Sequence, residues 1–294
     1  MTRKHFIFGT LAVILVASVW HSCASGNGPR YYSARQLENR IDIAELTPLE
    51  IKRFEQVVNR EISPCGDNVT LAESLFNPNR CPLAPLAGSF VVQMVAEDYN
   101  PDEISEAYLG RYASVKGLEI PVDDSPTLGA ENPVVDLVVF TDFECPFCAR
   151  SAADLHDIVR RYPDKIRLVH KDFPLASHQK AELAARAAFA AHRQNRFWEM
   201  HDTIFSAIGS PLDEQRLETM AIGLGLDLKQ LQEDMGSAAA TASLAADKKL
   251  AQKLGISGTP TVFVNGRRVD EGIPGVKQRI IEEFLRHNVP LSRK

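Results

Sequence analysis

Cys145-Pro146-Phe147-Cys148 is the segment of this chain best suited to covalent chemistry. An apolar run precedes it and a helical pattern follows, which places the first thiol at a helix N-terminus. Free backbone N–H groups and the helix dipole there favour the thiolate, the form of cysteine that attacks. Cys148 lies one helical turn inward, close enough to close a ring with Cys145. A mixed disulfide formed at Cys145 can then be released intramolecularly by Cys148. Pro146, at the first helical position, removes a donor that would otherwise point at the sulfur. Phe147 offers the thiolate neither charge nor a hydrogen bond. A zinc site would need a second ligand pair, and the sequence has no other CxxC and no suitably spaced histidine cluster. A purely structural disulfide between residues three apart would be unusual. No metal is expected, and no cofactor beyond the redox-active Cys145–Cys148 disulfide.

The chain has five cysteines in 294 residues, and the other three need separate explanations. Arg3, Lys4 and His5 precede an apolar run of 15 residues, Phe6 to Trp20, shorter than the about 20 of a membrane span. Together with the small residues that follow, this describes an export signal over residues 1–24. Two exits fit: cleavage after Ala24, or lipidation of Cys23, which would tether the chain to a membrane. An uncleaved anchor is a third option. Either exit takes Cys23 out of the disulfide count and leaves an even number of thiols in an oxidising compartment. Cys65 and Cys81, flanked by Pro64, Gly66 and Pro82, are then expected to form a structural disulfide. It would contribute ~3 kcal/mol on the loop-entropy model, in a module too small to hold a large core alone. A sharper alternative has this pair relaying electrons to or from Cys145 and Cys148.

Composition narrows the field further. A hydrophobic content of 45% with 24% charge excludes wholesale disorder. The net charge of −5 leaves no basic excess to grip nucleic acid.

The elements that must position the thiols can be read from local signals. Residues 25–46 read as a polar tether. Residues 47–116 read as a small helical module. Thr47 is a good N-cap, Pro48 suits the first turn, Glu50 stands at the capping-box position, and Ile51, Phe54, Val57 and Val58 form one apolar stripe. Further helices are expected over 70–76, 82–98 and 101–113, the last opened by Asn100-Pro101-Asp102-Glu103. Residues 117–132, with several Gly, Pro and acidic residues and no helical period, read as a linker. From 133 the character changes. Residues 134–140 form a β-branched and aromatic run, a buried strand. A helix is expected over 146–161, a strand over 166–171, and a helical insertion at about 176–254, broken near Gly209-Ser210-Pro211 and Gly223-Leu224-Gly225. Asn265-Gly266 then separates two strand-like runs, a strong hairpin signal. A final helix spans about 275–286.

At this point the chain resembles a known family. Phe140-Thr141-Asp142-Phe143-Glu144-Cys145-Pro146-Phe147-Cys148 resembles the active-site segment of the DsbA-like branch of the thioredoxin superfamily. Gly258-Thr259-Pro260-Thr261-Val262-Phe263-Val264-Asn265-Gly266 resembles the cis-proline segment and hairpin of the same family. Lys171-Asp172-Phe173-Pro174-Leu175 and Arg196-Phe197-Trp198-Glu199-Met200-His201 are also typical of it. The resemblance covers about residues 133–285. It implies an α/β chain: a thioredoxin fold with an inserted helical domain over 133–288, preceded here by the small all-helical N-terminal module. It also implies thiol–disulfide oxidoreductase activity, with Cys145 as nucleophile and Cys148 as resolving thiol. Pro260 becomes the cis-proline facing the disulfide, and the Thr259 backbone pairs with an extended substrate strand. A proline at that point also offers no competing N–H donor.

Two departures matter. Many thioredoxin-type proteins keep a buried carboxylate six residues before the nucleophile. Here that position is Val139, so the relay is absent or passed to Asp142 or Glu144. The strongest oxidants of the family carry His where this chain has Phe147. The expected potential is therefore less oxidising than DsbA's roughly −120 mV and above thioredoxin's roughly −270 mV.

Other residues carry weaker signals. His178 could border the active-site groove, but the helix-capping role is the commoner one for an isolated histidine. Phe197 and Trp198 are expected in the core of the insertion. Gly223-Leu224-Gly225 lacks a preceding strand and is no dinucleotide loop. The expected function is thiol–disulfide exchange on exported, cysteine-containing proteins, in the periplasm or cell envelope, with a redox partner that resets the disulfide. Among oxidase, isomerase and reductase the direction stays open. Thr259 leans towards isomerase- and reductase-like members, whereas the helical module is unlike the dimerisation modules of isomerases. The alternative is a non-enzymatic periplasmic peptide-binding or chaperone protein with a structural disulfide.

Overall fold

The computed structural model describes residues 30–112, 117–122 and 124–291. The export signal, Cys23 included, lies outside the described residues. The N-terminal part comprises α1 (Ala34–Leu37), α2 (Pro48–Arg60), α3 (Leu71–Ser74), α4 (Ala84–Ala96) and α5 (Pro101–Tyr112). The start of α2 follows from its capping box: the Glu50 N–H donates to Thr47 Oγ1, and the Thr47 N–H donates to Glu50 Oε2 at 2.6 Å. At α5 the N–H groups of Asp102 and Glu103 both donate to Asn100 Oδ1. Phe54, Val57 and Val58 face a core that also buries Leu83, Val91, Ile104, Tyr108 and Tyr112. Cys65 and Cys81 are joined by a disulfide in this layer.

Residues 34–46 differ from the tether read in the sequence. Ala34, Leu37, Ile41, Ile43 and Leu46 are buried in the same core. Ala34, Leu37 and Ile41 keep a helical spacing that Ile43 and Leu46 do not continue, a run too short to stand out, and burial here comes from a short helix followed by turns. The expected linker is corrected too. Within it, β1 (Thr127–Gly129) pairs antiparallel with a central strand as the sheet edge. Three residues are too few to register as a periodic pattern.

The remaining strands are β2 (Val135–Thr141), β3 (Ile166–Asp172), β4 (Thr261–Val264) and β5 (Arg267–Val269), in the order β1-β3-β2-β4-β5. Only β2 and β3 run parallel, because α6 (Pro146–Arg161) provides the crossover between them. At the β4–β5 turn Asn265 and Gly266 take φ of 47° and 72°, the left-handed pair of a type I′ hairpin. A Cβ on Gly266 would stand 2.0 Å from the Leu118 carbonyl oxygen, so no side chain fits there.

One sheet face packs Val135, Leu137, Val139 and Val262 against α6 and α12 (Gly272–Arg286). The other packs Val138, Phe140, Val169 and Phe263 against Ala251 and Ile256. Between β3 and β4 stands the insertion: α7 (Ala181–Arg193), α8 (Phe197–Ser206), α9 (Glu214–Gly223), α10 (Leu228–Met235) and α11 (Ala238–Lys253). Seven of the thirteen residues of α7 are buried alanines, which lets neighbouring helices approach its backbone closely. A buried Lys171–Asp247 ion pair at 3.0 Å ties α11 to β3. The helical module is seated on α12. Arg111 reaches the buried Glu282 at 2.7 Å, Arg267 Nη1 donates to the Arg111 carbonyl, and Leu285 packs on the module core.

Candidate active site

Strand β2 ends at Thr141, and three loop residues later Cys145 is the N-cap of α6, with φ −82° and ψ 117°. Pro146 occupies the first helical turn, as its fixed φ and missing N–H allow. Both thiols are free and buried, Cys145 at 4% exposure and Cys148 at 1%. Phe147 stands out at 61% exposure, and the Arg150 guanidinium lies over its ring, 4.6 Å from the centroid. The phenyl group supplies no charge itself, but it holds a cation at the mouth of the site. The loop before β4 closes the other side. Its Thr259–Pro260 peptide is cis, and Cys145 Sγ lies 3.4 Å from the Thr259 carbonyl oxygen. Next to Pro260, a groove of about 110 Å³ is lined by Ser151, Thr261, Arg268, Asp270 and Ile273 among others.

The two sulfurs are not equivalent. Burial pushes the Cys148 thiol up to about 12, the neighbouring Cys145 adds to the rise, and the Thr141 hydroxyl opposes it. Cys145 caps α6 beside the Thr259 carbonyl and Cys148 lies one helical turn inward, both packed in the core shared with the insertion. The arrangement suits one thiol to attack from outside and the other to resolve from within.

Asp142 organises the loop between them. Its carboxylate is fully buried. Oδ1 accepts from the Glu144 N–H at 2.7 Å, and Oδ2 accepts from the Leu175 N–H at 2.7 Å and lies 2.9 Å from His178 Nδ1. The Cys145 N–H donates to the Asp142 carbonyl at 3.0 Å, and Glu144 Oε2 accepts from the Lys180 N–H at 2.6 Å. The capping role favoured for His178 is thus corrected: Lys180 is the N-cap of α7, and the His178 ring is bound by Asp142. A contact across 36 residues leaves no local spacing to read. Both carboxylates proposed as substitutes at Val139 are committed to this loop, while Val139 itself pairs with His170 and Val262 in the sheet.

Sequence reasoning missed a second group, behind Cys148. His156, His170 and His201 gather from α6, β3 and α8 among Phe143, Phe197, Trp198 and Phe205. Each looks isolated along the chain, which hid the cluster. Phe197 is buried in the insertion core, while Trp198 also donates from Nε1 to the Thr127 carbonyl at 2.7 Å, tying the insertion to β1. Burial lowers His156, and it lowers His201 to about 4. Among the described residues no His, Asp or Glu joins the thiols in a metal-binding set. The tight group of His156, His201 and Asp202 is closed by a hydrogen bond between His201 Nδ1 and Asp202 Oδ1 at 2.8 Å.

Comparison with known proteins places this frame. A family model described as Thioredoxin matches residues 122–282, more than half of the chain. A thioredoxin-like oxidoreductase from Silicibacter pomeroyi is 31% identical and superposes with a TM-score of 0.50, covering 54% of this chain and 92% of its own. The oxidised form of BdbD from Bacillus subtilis shares the fold at 22% identity and a TM-score of 0.50, over 57% of this chain and 97% of its own. Among curated proteins, a Na(+)/H(+) antiporter NhaA 3 from Salinispora tropica is 34% identical over 183 residues, 61% of this chain. The chain spans only 28% of that relative's length. No described helix is long and apolar enough to cross a membrane. A parallel β2–α6–β3 unit, an antiparallel hairpin after a cis-proline and a helical insertion between the two halves all fall inside the matched residues, and the chain therefore belongs to the thioredoxin family.

Proposed function

We propose that the chain is a thiol–disulfide oxidoreductase acting on exported, cysteine-containing proteins, with Cys145 as nucleophile and Cys148 as resolving thiol. The observation that carries this reading is the placement of Cys145 Sγ at the N-terminus of α6, 3.4 Å from the Thr259 carbonyl of the cis-proline loop. An extended peptide lying in the groove beside Pro260 can pair with the Thr259 backbone while one of its sulfurs meets Cys145. Cys148, one turn deeper, attacks or is attacked from the protected side. The dithiol is the only redox group the reaction requires, and a separate redox partner resets it. The charged and apolar N-terminal residues support export, and Cys23 supports a membrane tether.

Replacing Cys148 by Ala tests the reading, because it removes the resolving thiol and leaves the nucleophile. Mixed disulfides through Cys145 should accumulate and be recovered by thiol trapping, and the wild-type chain should reduce insulin. If neither adduct nor insulin reduction is seen, the enzymatic reading fails and a non-enzymatic peptide-binding role takes its place. Direction is read from a redox titration of the pair, together with its redox state in the cell.

A further inference from the structure

Each turnover moves a proton at Cys148, a thiol at 1% exposure with no direct path to solvent through its own side chain. When a mixed disulfide at Cys145 is resolved, Cys148 Sγ bonds to Cys145 Sγ, the bond from Cys145 to the substrate sulfur breaks, and the substrate leaves as a thiolate that takes a proton from water. The pair is oxidised by two electrons and the substrate disulfide is reduced. The Cys148 proton has to leave as the new bond forms. In the opposite direction Cys148 departs as a thiolate and needs that proton back. Val139 cannot supply or accept it.

Behind Cys148 lies a small enclosed cavity, about 10 Å³ of space for a water centre, lined by Cys148, Thr141, Ser151, Ala152, His156, His201 and Trp198 among others. That is room for about one water molecule. Cys148, Ala152 and His156 follow one another at i, i+4 and i+8 along α6, on a single face. Eight residues advance the helix by about 12 Å, and the side chains at both ends of this stretch line the same cavity. His156 Nε2 is buried without a hydrogen-bond partner. The other ring nitrogen, Nδ1, stands 3.6 Å from Asp202 Oδ1, and the Asp202 side chain is 57% exposed.

We propose that His156 carries the Cys148 proton between the buried thiol and solvent, through water in this cavity on its inner side and Asp202 on its outer side. The proposal rests on the exchange reading above. The imidazole takes a proton at Nε2 as it releases one from Nδ1 towards Asp202, so no charge accumulates in the core. Reduction of the pair runs the same path inwards, and the ring returns to its starting tautomer over a full cycle. Burial keeps His156 below its ordinary range, hence neutral and able to accept at neutral pH. The charged and titratable groups facing it are Arg160 and Asp157 on its own helix and Asp202 on α8, while His201, stacked 5.4 Å away, is itself faced by His170 on β3. His201 holds Asp202 in place through Nδ1.

Stopped-flow reaction of the reduced chain with DTNB separates the two steps, using Cys23→Ser so that only the pair reports. The first release of thionitrobenzoate follows attack by Cys145, and the second follows resolution by Cys148. His156→Gln should leave the first phase within about twofold and slow the second by about 100-fold or more near pH 7, the scale of a lost general acid–base group. The deficit should shrink as pH rises and hydroxide takes over. Asp202→Asn, at an exposed position, should slow the second phase by about threefold and remains informative if His156→Gln folds poorly. A second phase with wild-type rate and pH profile in either folded variant overturns the relay. So does a parallel slowing of both phases, which marks a structural role. Absence of any first phase in the Cys23→Ser chain would instead take down the exchange reading, and the relay with it.

Discussion

Two cysteine pairs in this chain make opposite uses of the same chemistry. Cys65 and Cys81 are 16 residues apart, already joined, and set among Leu71, Leu83 and Phe54 in a helical layer. Cys145 and Cys148 are three apart, free, and stand at the seam between a helix N-terminus, a cis-proline loop and the helical insertion. The first pair closes a long loop, and its value lies in what it removes from the unfolded ensemble. The second closes almost nothing, and its two sulfurs differ in setting: Cys145 caps a helix beside the Thr259 carbonyl, while burial holds the Cys148 thiol high. Stability calls for a long loop and reactivity for a short one with asymmetric surroundings.

The comparison can be broken at its strongest point first. Cys145→Ser should reduce insulin-reductase activity to the uncatalysed background with no change in the thermal unfolding midpoint. A large loss of stability would mean that the short pair is also structural. Removing the long pair, Cys65→Ala with Cys81→Ala, should do the converse. It should cost ~3 kcal/mol in denaturant unfolding while leaving DTNB kinetics at Cys145 unchanged. Slowed or redirected exchange in that variant would instead reveal an electron relay between the pairs. A smaller effect tests whether the two regions behave as one body. Arg111→Ala deprives buried Glu282 of one of its two arginine partners and should cost about 1–3 kcal/mol, read as the helical module unfolding ahead of the sheet. A single unshifted transition would show that the seam carries no energy. The smallest effect concerns tuning. The wild-type pair should equilibrate with glutathione between roughly −270 and −120 mV, and Phe147→His should raise the potential by about 30 mV or more, a tenfold shift in the equilibrium. A wild-type value outside that window, or no shift, would show that this position does not set the potential.

Much of the frame was legible because it is written in local rules. The capping box at Thr47 and Glu50, Asn100 before α5, Pro146 opening α6 and Asn265-Gly266 between two strands each act within a few residues, and the structure has each where those rules place it. The segments that escaped are those too short for a period to stand out. Leu37, Ile41, Ile43 and Leu46 look like scattered apolar residues in a polar stretch, and β1 is three residues at a sheet edge. His178 had a local explanation, helix capping, that lost to a buried carboxylate 36 residues away.

Residue types and short spacings thus singled out the Cys145–Cys148 pair and the alternation of strand and helix that places it at a helix start. Tertiary structure alone decided that Asp142 is spent on the active-site loop, that three separate histidines meet behind Cys148, and that the helical module rests on α12. The physical reason is one of range. Capping, turn and periodicity preferences act over a few residues and can be read from the chain, whereas desolvation and side-chain hydrogen bonding depend on which distant segments are brought into contact. At this site those segments are β2, β3, α6 and α8, which are adjacent only once the sheet has formed.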